Sequence, residues 1–273
     1  MKSTKKILFV AVIALVAIIC ASSAVSAGWF DFGSSSNNSL DGKELNLAAA
    51  ASLKNVYDEK LIPMFQEKYP GVKVTPTYAS SGDLQSQIEN GLKADVFMSA
   101  SNKQMNNLAK KDLVNNSTNV QFLENKVVLI VPKNASTNIS SFEDLNKTNG
   151  IIAIGNPESV PAGQYAKEVL TSLGIWDSVQ SKLSLGTDVT AVLNQVAQGS
   201  ADCGIVYATD AKSNPNVKVV CEAPNGTLKT PVIYPVAELK NPEHPEAAKA
   251  FMEFLKTKEA KDVFVEYGFT IHE

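Results

Sequence analysis

The chain has 273 residues, 44% of them hydrophobic and 19% charged, so it is long enough for two lobes of roughly 100–150 residues each. Its net charge is −3, and all 25 basic residues are lysines, so the guanidinium group that commonly clamps carboxylates and phosphates is absent. Three of these lysines lie in the first 27 residues. The rest of the chain has 22 lysines and 28 acidic residues, and this net charge of −6 argues against a nucleic-acid partner.

Residues 1–27 have the pattern of an export signal. Three lysines precede an apolar run at 7–20, and the small residues at 24–27 are typical of a cleavage site. Two alternatives remain open, because the run is long enough to be a retained anchor and Cys20 could be lipidated after cleavage. We therefore expect an exported protein, in the periplasm or on the outer face of the cytoplasmic membrane.

Residues 28–43 are rich in Ser, Asn and Gly and show no helical period. This composition predicts a flexible tether between the leader and the folded part. The aromatic residues Trp29, Phe30 and Phe32 could instead lie on a membrane surface.

From residue 44 onward, short apolar runs alternate with helical patterns. Strands are predicted at 44–49, 72–79, 94–100, 125–133, 151–155, 203–207 and 230–239. Helices are predicted from about 53, at 80–91, from about 102, at 163–173, at 186–199 with Thr187 as its cap, and twice near the C-terminus. Pro63 is expected to kink or restart the first helix.

This alternation predicts an α/β fold with mostly parallel sheets in two lobes. The first lobe is predicted to comprise 44–125 plus 236–273, and the second 126–235, with one strand crossing in each direction. Ligands of open α/β sheets bind beyond the carboxyl ends of the strands, which in this arrangement is the cleft between the lobes.

Ser52 follows four alanines at the point where the first strand gives way to a helix. The first turn of a helix has N–H groups without acceptors and a partial positive charge, so it can bind an anion. Taken alone, Ser52 is better explained as an ordinary N-cap beside small core residues. Similar small or hydroxyl-bearing helix starts recur at 80–81, 160–163 and 187–189, and Tyr207 ends a strand just before a turn.

No enzyme motif accompanies these residues. Ser52 has neither a G-x-S-x-G elbow nor a plausible histidine partner, and the chain has no P-loop and no metal-binding His/Glu pair. Cys203 and Cys221 could form a disulfide or remain two separate thiols, and their spacing does not suit a metal site.

Six segments resemble, in order and spacing, the molybdate-binding proteins of ABC importers. They are AAASL, YASSGDLQSQIENG, ADVFMSA, VPAGQYAKEVL, GIVYATDA and YGFTI, and the resemblance covers nearly all of 44–273. It implies a two-lobed periplasmic-binding-protein fold of type II, with a hinge of two crossovers. It also implies a monomer that captures molybdate or tungstate without another cofactor and delivers it to the membrane subunits of an ABC permease.

The resemblance also implies the ligand set. It places the oxyanion contacts, through which alone the metal would be held, at Ser52, Ser81, Ala162, Val189 and Tyr207.

One position departs from the family pattern, since Gly82 stands where bacterial relatives often have a third serine. We expect little effect from this change because Ser81 is retained. Some archaeal relatives add carboxylates to the metal, but such a role is not expected for Asp188 or Asp210.

A site that offers only hydrogen-bond donors would reject a protonated oxyanion such as hydrogen phosphate, which needs an acceptor. Molybdate, tungstate and sulfate would remain, and a sulfate or other oxyanion receptor of the same fold is the alternative function. The absence of arginine disfavours an amino-acid receptor.

Overall fold

The computed structural model describes residues 40–272, so the leader and most of the tether predicted at 28–43 lie outside the described residues. Within 40–272 the chain forms one sheet of six strands and one of five, with helices packed around them. No helix in this range is long and apolar enough to cross a membrane.

The strands, in chain order, are β1 (Glu44–Ala50), β2 (Lys73–Ala79), β3 (Val96–Met98), β4 (Val120–Asn125), β5 (Val127–Pro132), β6 (Ile152–Gly155), β7 (Leu183–Gly186), β8 (Cys203–Tyr207), β9 (Val217–Glu222), β10 (Val232–Glu238) and β11 (Thr270–Ile271). The α-helices are α1 (Lys54–Val56), α2 (Ile62–Lys68), α3 (Ser81–Glu89), α4 (Asn102–Lys110), α5 (Pro161–Ser172), α6 (Trp176–Val179), α7 (Val189–Ala197), α8 (Ala208–Ser213), α9 (Pro245–Leu255) and α10 (Lys258–Tyr267). Single 3-10 turns lie at Ala51–Leu53, Glu143–Asn146 and Gln180–Lys182.

The two sheets have the orders β11-β4-β10-β3-β1-β2 and β7-β6-β8-β5-β9. Strands β1, β2 and β3 are parallel, as are β6, β7 and β8. The expectation of mostly parallel sheets is wrong, because β10 and β5 each run antiparallel to both of their neighbours and β11 runs antiparallel to β4. The antiparallel pairs thus involve the strands next to the two crossovers, where the chain passes between the sheets.

The apolar run predicted as one strand at 125–133 forms β5, and it directly follows β4, a strand that was not predicted. Strand β4 ends at Asn125 in the first sheet and β5 begins at Val127 in the second, so Lys126 alone connects them. The chain returns through residues 223–231 to β10, which begins at Val232, inside the range assigned to the second lobe by the sequence.

Helix starts follow local sequence chemistry. The interruption expected at Pro63 takes the form of a π-helical turn at Tyr57–Leu61, because a proline cannot donate the next backbone hydrogen bond. The cap predicted at Thr187 is instead Asp188, whose carboxylate accepts the N–H of Ala191 at 2.8 Å. Both residue types can cap a helix, and the chain enters the turn one residue later than predicted.

Helices α9 and α10 pack against the first sheet through aromatic rings. Phe251 and Phe264 lie edge-on to Tyr57 at centroid distances of 6.0 and 6.2 Å, and Phe251 contacts Phe65 at 5.1 Å. All four side chains are at most 1% exposed, so the C-terminal helices complete the core beneath the first sheet.

Cys203 and Cys221 are free thiols in the structure. Cys203 lies on β8 and Cys221 on β9, and β5 lies between these strands. Neighbouring strands are about 4.8 Å apart, so the two residues are separated by at least about 10 Å, beyond the roughly 7 Å that a disulfide can bridge. Of the two alternatives, two separate thiols are therefore the one observed.

Candidate functional site

One small cavity, with an accessible volume of about 10 Å³, lies where strands of both sheets end and helices begin. All five residues singled out from the sequence line it. Its walls consist of Ala50, Ala51, Ser52, Ala79, Ser80, Ser81, Ala100, Val160, Pro161, Ala162, Val189 and Tyr207.

Besides Ser80, the N-cap of α3, the first sheet contributes two serines at helix starts. Ser52 lies in the 3-10 turn Ala51–Leu53 that follows β1, and Ser81 is the first residue of α3, which follows β2. The parallel pairing of β1 with β2 brings the two strand ends together, since Ala50 is the register partner of Ala79. The two serines therefore lie on the same edge of one sheet.

The second sheet contributes three further helix starts. Ala162 is the second residue of α5, Val189 is the first residue of α7, and Tyr207 is the N-cap of α8. A Cβ on Gly163 would overlap the carbonyl of Gly155, so this glycine allows the first turn of α5 to lie against the end of β6.

The serine oxygens already accept, or can accept, hydrogen bonds from the protein. The Oγ of Ser81 accepts the N–H of Ala100 at 2.9 Å, and the Oγ of Ser52 lies 2.9 Å from the hydroxyl of Tyr234. When its oxygen accepts such a bond, a serine hydroxyl has its own proton left for a third group. A molecule in the cavity would then meet these two serines as donors.

Burial raises the pKa of Tyr207 well above its usual value, so its phenol is protonated at neutral pH. Its hydroxyl donates weakly to the carbonyl oxygen of Ala100 at 3.5 Å. That carbonyl belongs to the first lobe, so the phenol reaches across the cavity.

No lysine or histidine of residues 40–272 lines the cavity. Lys54, the lysine nearest in sequence, forms an ion pair with Asp58 and lies 4.9 Å from the ring of Tyr78. The positive potential at the site must therefore come from helix N-termini and hydroxyl groups rather than from cationic side chains.

A second cavity adjoins the first and shares Ala51 and Ser52 with it. The carboxyl group of Asp210 forms part of its wall and accepts the N–H of Tyr207 at 3.2 Å. Burial, the largest cause, raises the pKa of Asp210 to about 7, and nearby Asp188 acts in the same direction. The bond from Tyr207 opposes this rise.

The two halves of the molecule touch directly at the rim of the first cavity. The N–H of Gly82 on α3 donates to the carbonyl of Ser159 at 2.9 Å, and Gln104 on α4 donates to Gln164 on α5 at 3.4 Å. A Cβ at position 82 would lie 2.7 Å from the Cα of Ser159 and still closer to its carbonyl oxygen. Gly82 therefore has a steric role. This role was not revealed by sequence reasoning, which considered only the serine hydroxyl that is absent at this position.

Tyr234 was also missed by sequence reasoning. It lies on β10, 182 positions from Ser52, and is fully buried. The available signal was the pair Tyr234-Pro235 within an apolar strand, because a proline in a central strand marks an irregularity. The structure has a register shift there, between Tyr234 and Pro235.

Residues 45–270 match the family described as bacterial extracellular solute-binding proteins. The chain is 39% identical over 242 residues to a protein of Bacillus subtilis provisionally named an ABC transporter substrate-binding lipoprotein, covering 87% of this chain and 92% of that one. It is 39% identical over 247 residues to the molybdate-binding protein ModA of Escherichia coli, covering 88% and 94%. The fold matches the periplasmic molybdate-binding protein of Azotobacter vinelandii with a TM-score of 0.74, at 23% identity, over 84% of this chain and all of that one.

Proposed function

The chain belongs to the bacterial extracellular solute-binding proteins, and we propose that it captures molybdate, and also tungstate, between its two lobes. It then delivers the anion to the membrane subunits of an ABC importer. It carries no catalytic activity, and the oxyanion is its cargo rather than a cofactor.

One observation supports this function above the others. Ser52, Ser81, Ala162, Val189 and Tyr207 line one small cavity, although they come from five separate segments of the chain. Each lies in the first turn of a helix or at its cap, where backbone N–H groups lack intrahelical acceptors.

The energetics suit a dianion without counter-charges. Burying a doubly charged ion is costly unless it is fully hydrogen-bonded, and each charge-assisted bond contributes about 1.5–3 kcal/mol. Roughly half a dozen donors from hydroxyls and helix starts can offset that cost. Hydrogen phosphate would bring a proton of its own to these donors and leave it without an acceptor.

The histidines argue against serine chemistry at this site. Ser52 has the phenol of Tyr234 as its partner. His244 interacts with Asp95 at 3.0 Å and His272 with Glu124, and neither histidine lines the cavity, so neither imidazole activates the serine.

Release to a permease requires that the cleft opens and closes. The cavity has walls from both lobes, so the anion gains its complete set of donors only in the closed state and favours that state. We further propose that the protein works as a monomer outside the cytoplasmic membrane, held there through Cys20 or an uncleaved leader if the chain is not released.

Calorimetric titration of the ligand-free protein with molybdate, tungstate, sulfate and phosphate tests the proposal. We expect tight binding of molybdate and tungstate, weaker binding of sulfate and none of phosphate. If sulfate bound much more tightly than molybdate, the protein would be a sulfate receptor instead.

A further inference from the structure

A chain of three hydrogen-bonding side chains leads from the hinge to the anion cavity. The amide of Asn125 donates to the hydroxyl of Tyr234 at 3.3 Å, and that hydroxyl lies 2.9 Å from the Oγ of Ser52. Asn125 is the last residue of β4, directly before the crossover at Lys126, and Ser52 lines the cavity.

The direction of the Asn125 amide is fixed by its neighbours. Its Oδ1 accepts the backbone N–H of Lys126 at 2.8 Å, and its Nδ2 donates to both Tyr234 and the Oγ1 of Thr209, the latter at 2.9 Å. The opposite orientation would place the amide N–H groups against the N–H of Lys126, with two donors facing each other.

The phenol of Tyr234 must therefore accept from Asn125 and give its own proton to another group. We assign this proton to the Oγ of Ser52, 2.9 Å away, because the other neighbouring phenol, Tyr207, holds its own proton and interacts with Tyr234 as a donor. Since Tyr234 is fully buried, water cannot take over either bond. The proton of Ser52 is then left for the cavity.

We propose that Asn125 and Tyr234 are positioning residues that fix Ser52 as a hydrogen-bond donor, and that they thereby restrict the cavity to fully deprotonated oxyanions. This inference rests on the proposed function. Consecutive bonds of one direction polarise each other, so the last hydroxyl is a stronger donor than an isolated serine. Ser81 is fixed in the same sense by the N–H of Ala100, a backbone group that substitution cannot reverse.

The chain of bonds can be reversed by one substitution. In Asn125→Asp a carboxylate oxygen would replace the amide nitrogen, so Tyr234 would donate toward it. Ser52 would then donate to Tyr234 and present a lone pair to the anion. We expect molybdate affinity to fall at least about 100-fold, and the ratio of phosphate to molybdate dissociation constants to fall as well.

The new charge alone would also weaken anion binding, so a double-mutant cycle separates the two effects. Tyr234→Phe interrupts the chain and should reduce molybdate affinity roughly 3- to 10-fold. In the Tyr234→Phe background, Asn125→Asp should lower molybdate affinity only about 10-fold, because only the added charge still acts.

Two matched variants control for the chemistry of the changes. Tyr78→Phe removes a hydroxyl that donates to Asp58 at 2.6 Å, and Asn115→Asp adds a charge in an exposed turn. Neither residue lines the cavity, so both should bind molybdate as the unmodified protein does. Melting curves verify that every variant is folded.

The outcomes are distinguishable. If the unmodified protein does not bind molybdate, the proposed function fails. If it binds molybdate but Asn125→Asp lowers the affinity by the same factor whether Tyr or Phe is at position 234, the directional chain is wrong and only the charge acts. A large loss that requires Tyr234, together with a lowered phosphate-to-molybdate ratio, supports it.

Discussion

The two lobes supply different kinds of donor to the same cavity. The first lobe contributes the side-chain hydroxyls of Ser52 and Ser81, whereas the second contributes, besides the phenol of Tyr207, helix starts at Ala162 and Val189, whose side chains carry no polar atoms. Hydroxyl donors can be removed by substitution and depend on what holds them. Backbone donors survive every substitution except proline and otherwise respond only to what the new side chain adds. The lobes should therefore react differently to mutation.

The largest effect is expected from a charge placed in the backbone-donor lobe. Ala162→Asp would put a carboxylate at the start of α5, and at about 4 Å with an effective dielectric constant of about 20 its repulsion of a dianion approaches 8 kcal/mol. Molybdate binding should be lost in calorimetry. Without ligand the melting temperature should stay the same or rise, because an acid suits a helix N-terminus.

Thr171→Asp is the matched control on the same helix. It adds the same charge at an exposed position nine residues later, about 14 Å along the axis. It should bind molybdate normally. If Ala162→Asp still showed the ligand-induced rise in melting temperature, the helix start of α5 would not be part of the site.

The second effect concerns Asp210, the buried carboxyl group of the second lobe that accepts the N–H of Tyr207. Its pKa rises from 3.8 unfolded to about 7 folded, so the native state holds the proton more tightly. The contribution to stability is complete below about pH 4 and is lost as the pH rises through 7. The shift corresponds to about 4 kcal/mol.

Asp210→Asn should remove this dependence. Relative to the unmodified protein, the variant should gain about 2–4 kcal/mol of unfolding free energy between pH 5 and pH 8. Urea unfolding of the ligand-free proteins at both pH values measures the difference. Parallel pH profiles for the two proteins would show that Asp210 does not titrate in this range.

In the hydroxyl lobe, Ser81→Ala should weaken two properties together. Molybdate would lose a donor worth about 1.5–3 kcal/mol, and the buried N–H of Ala100 would lose its acceptor at a cost of about 1–3 kcal/mol of stability. Calorimetry and melting curves measure the two losses separately. Ser86→Ala, at an exposed position of α3, is the control and should change neither. Normal affinity in Ser81→Ala would remove Ser81 from the ligand set.

At the contact between the lobes, Gly82→Ala should separate stability from affinity. The added Cβ would overlap Ser159 only when the cleft is closed, so molybdate affinity should fall by about 1–2 kcal/mol. The melting temperature of the ligand-free protein should not fall, since alanine is a better helix residue than glycine. Unchanged affinity would mean that the lobes do not approach this closely when ligand is bound.

The smallest effect is expected from salt. The cavity has no cationic wall and its contacts are short and buried, so screening is weak. Affinities at low and high concentrations of a non-competing salt should agree within a few-fold. A steep decrease would point to a lysine cluster elsewhere as the binding site.

The sequence predicted the strand-to-helix junctions well because Ser52, Ser81 and Tyr207 stand in local motifs of distinctive spacing. It could not predict Tyr234 or Asn125, because their roles depend on tertiary contacts with residues distant in sequence. The predicted strand direction was wrong near the crossovers for the same reason. An apolar run looks alike whether it is parallel or antiparallel to its neighbours.

The unequal length of the two crossovers has a mechanical consequence. Lys126 alone joins β4 to β5, whereas nine residues, 223–231, join β9 to β10. A single-residue link can rotate only about its own backbone dihedrals, so the rotation axis of the opening motion should pass close to Lys126. The longer link should change its conformation more as the lobes move apart. Groups beside an axis move least. We therefore expect Asn125 to stay hydrogen-bonded to Tyr234 in the open protein. The proton of Ser52 would then already point toward the entrance of the cavity before an anion arrives.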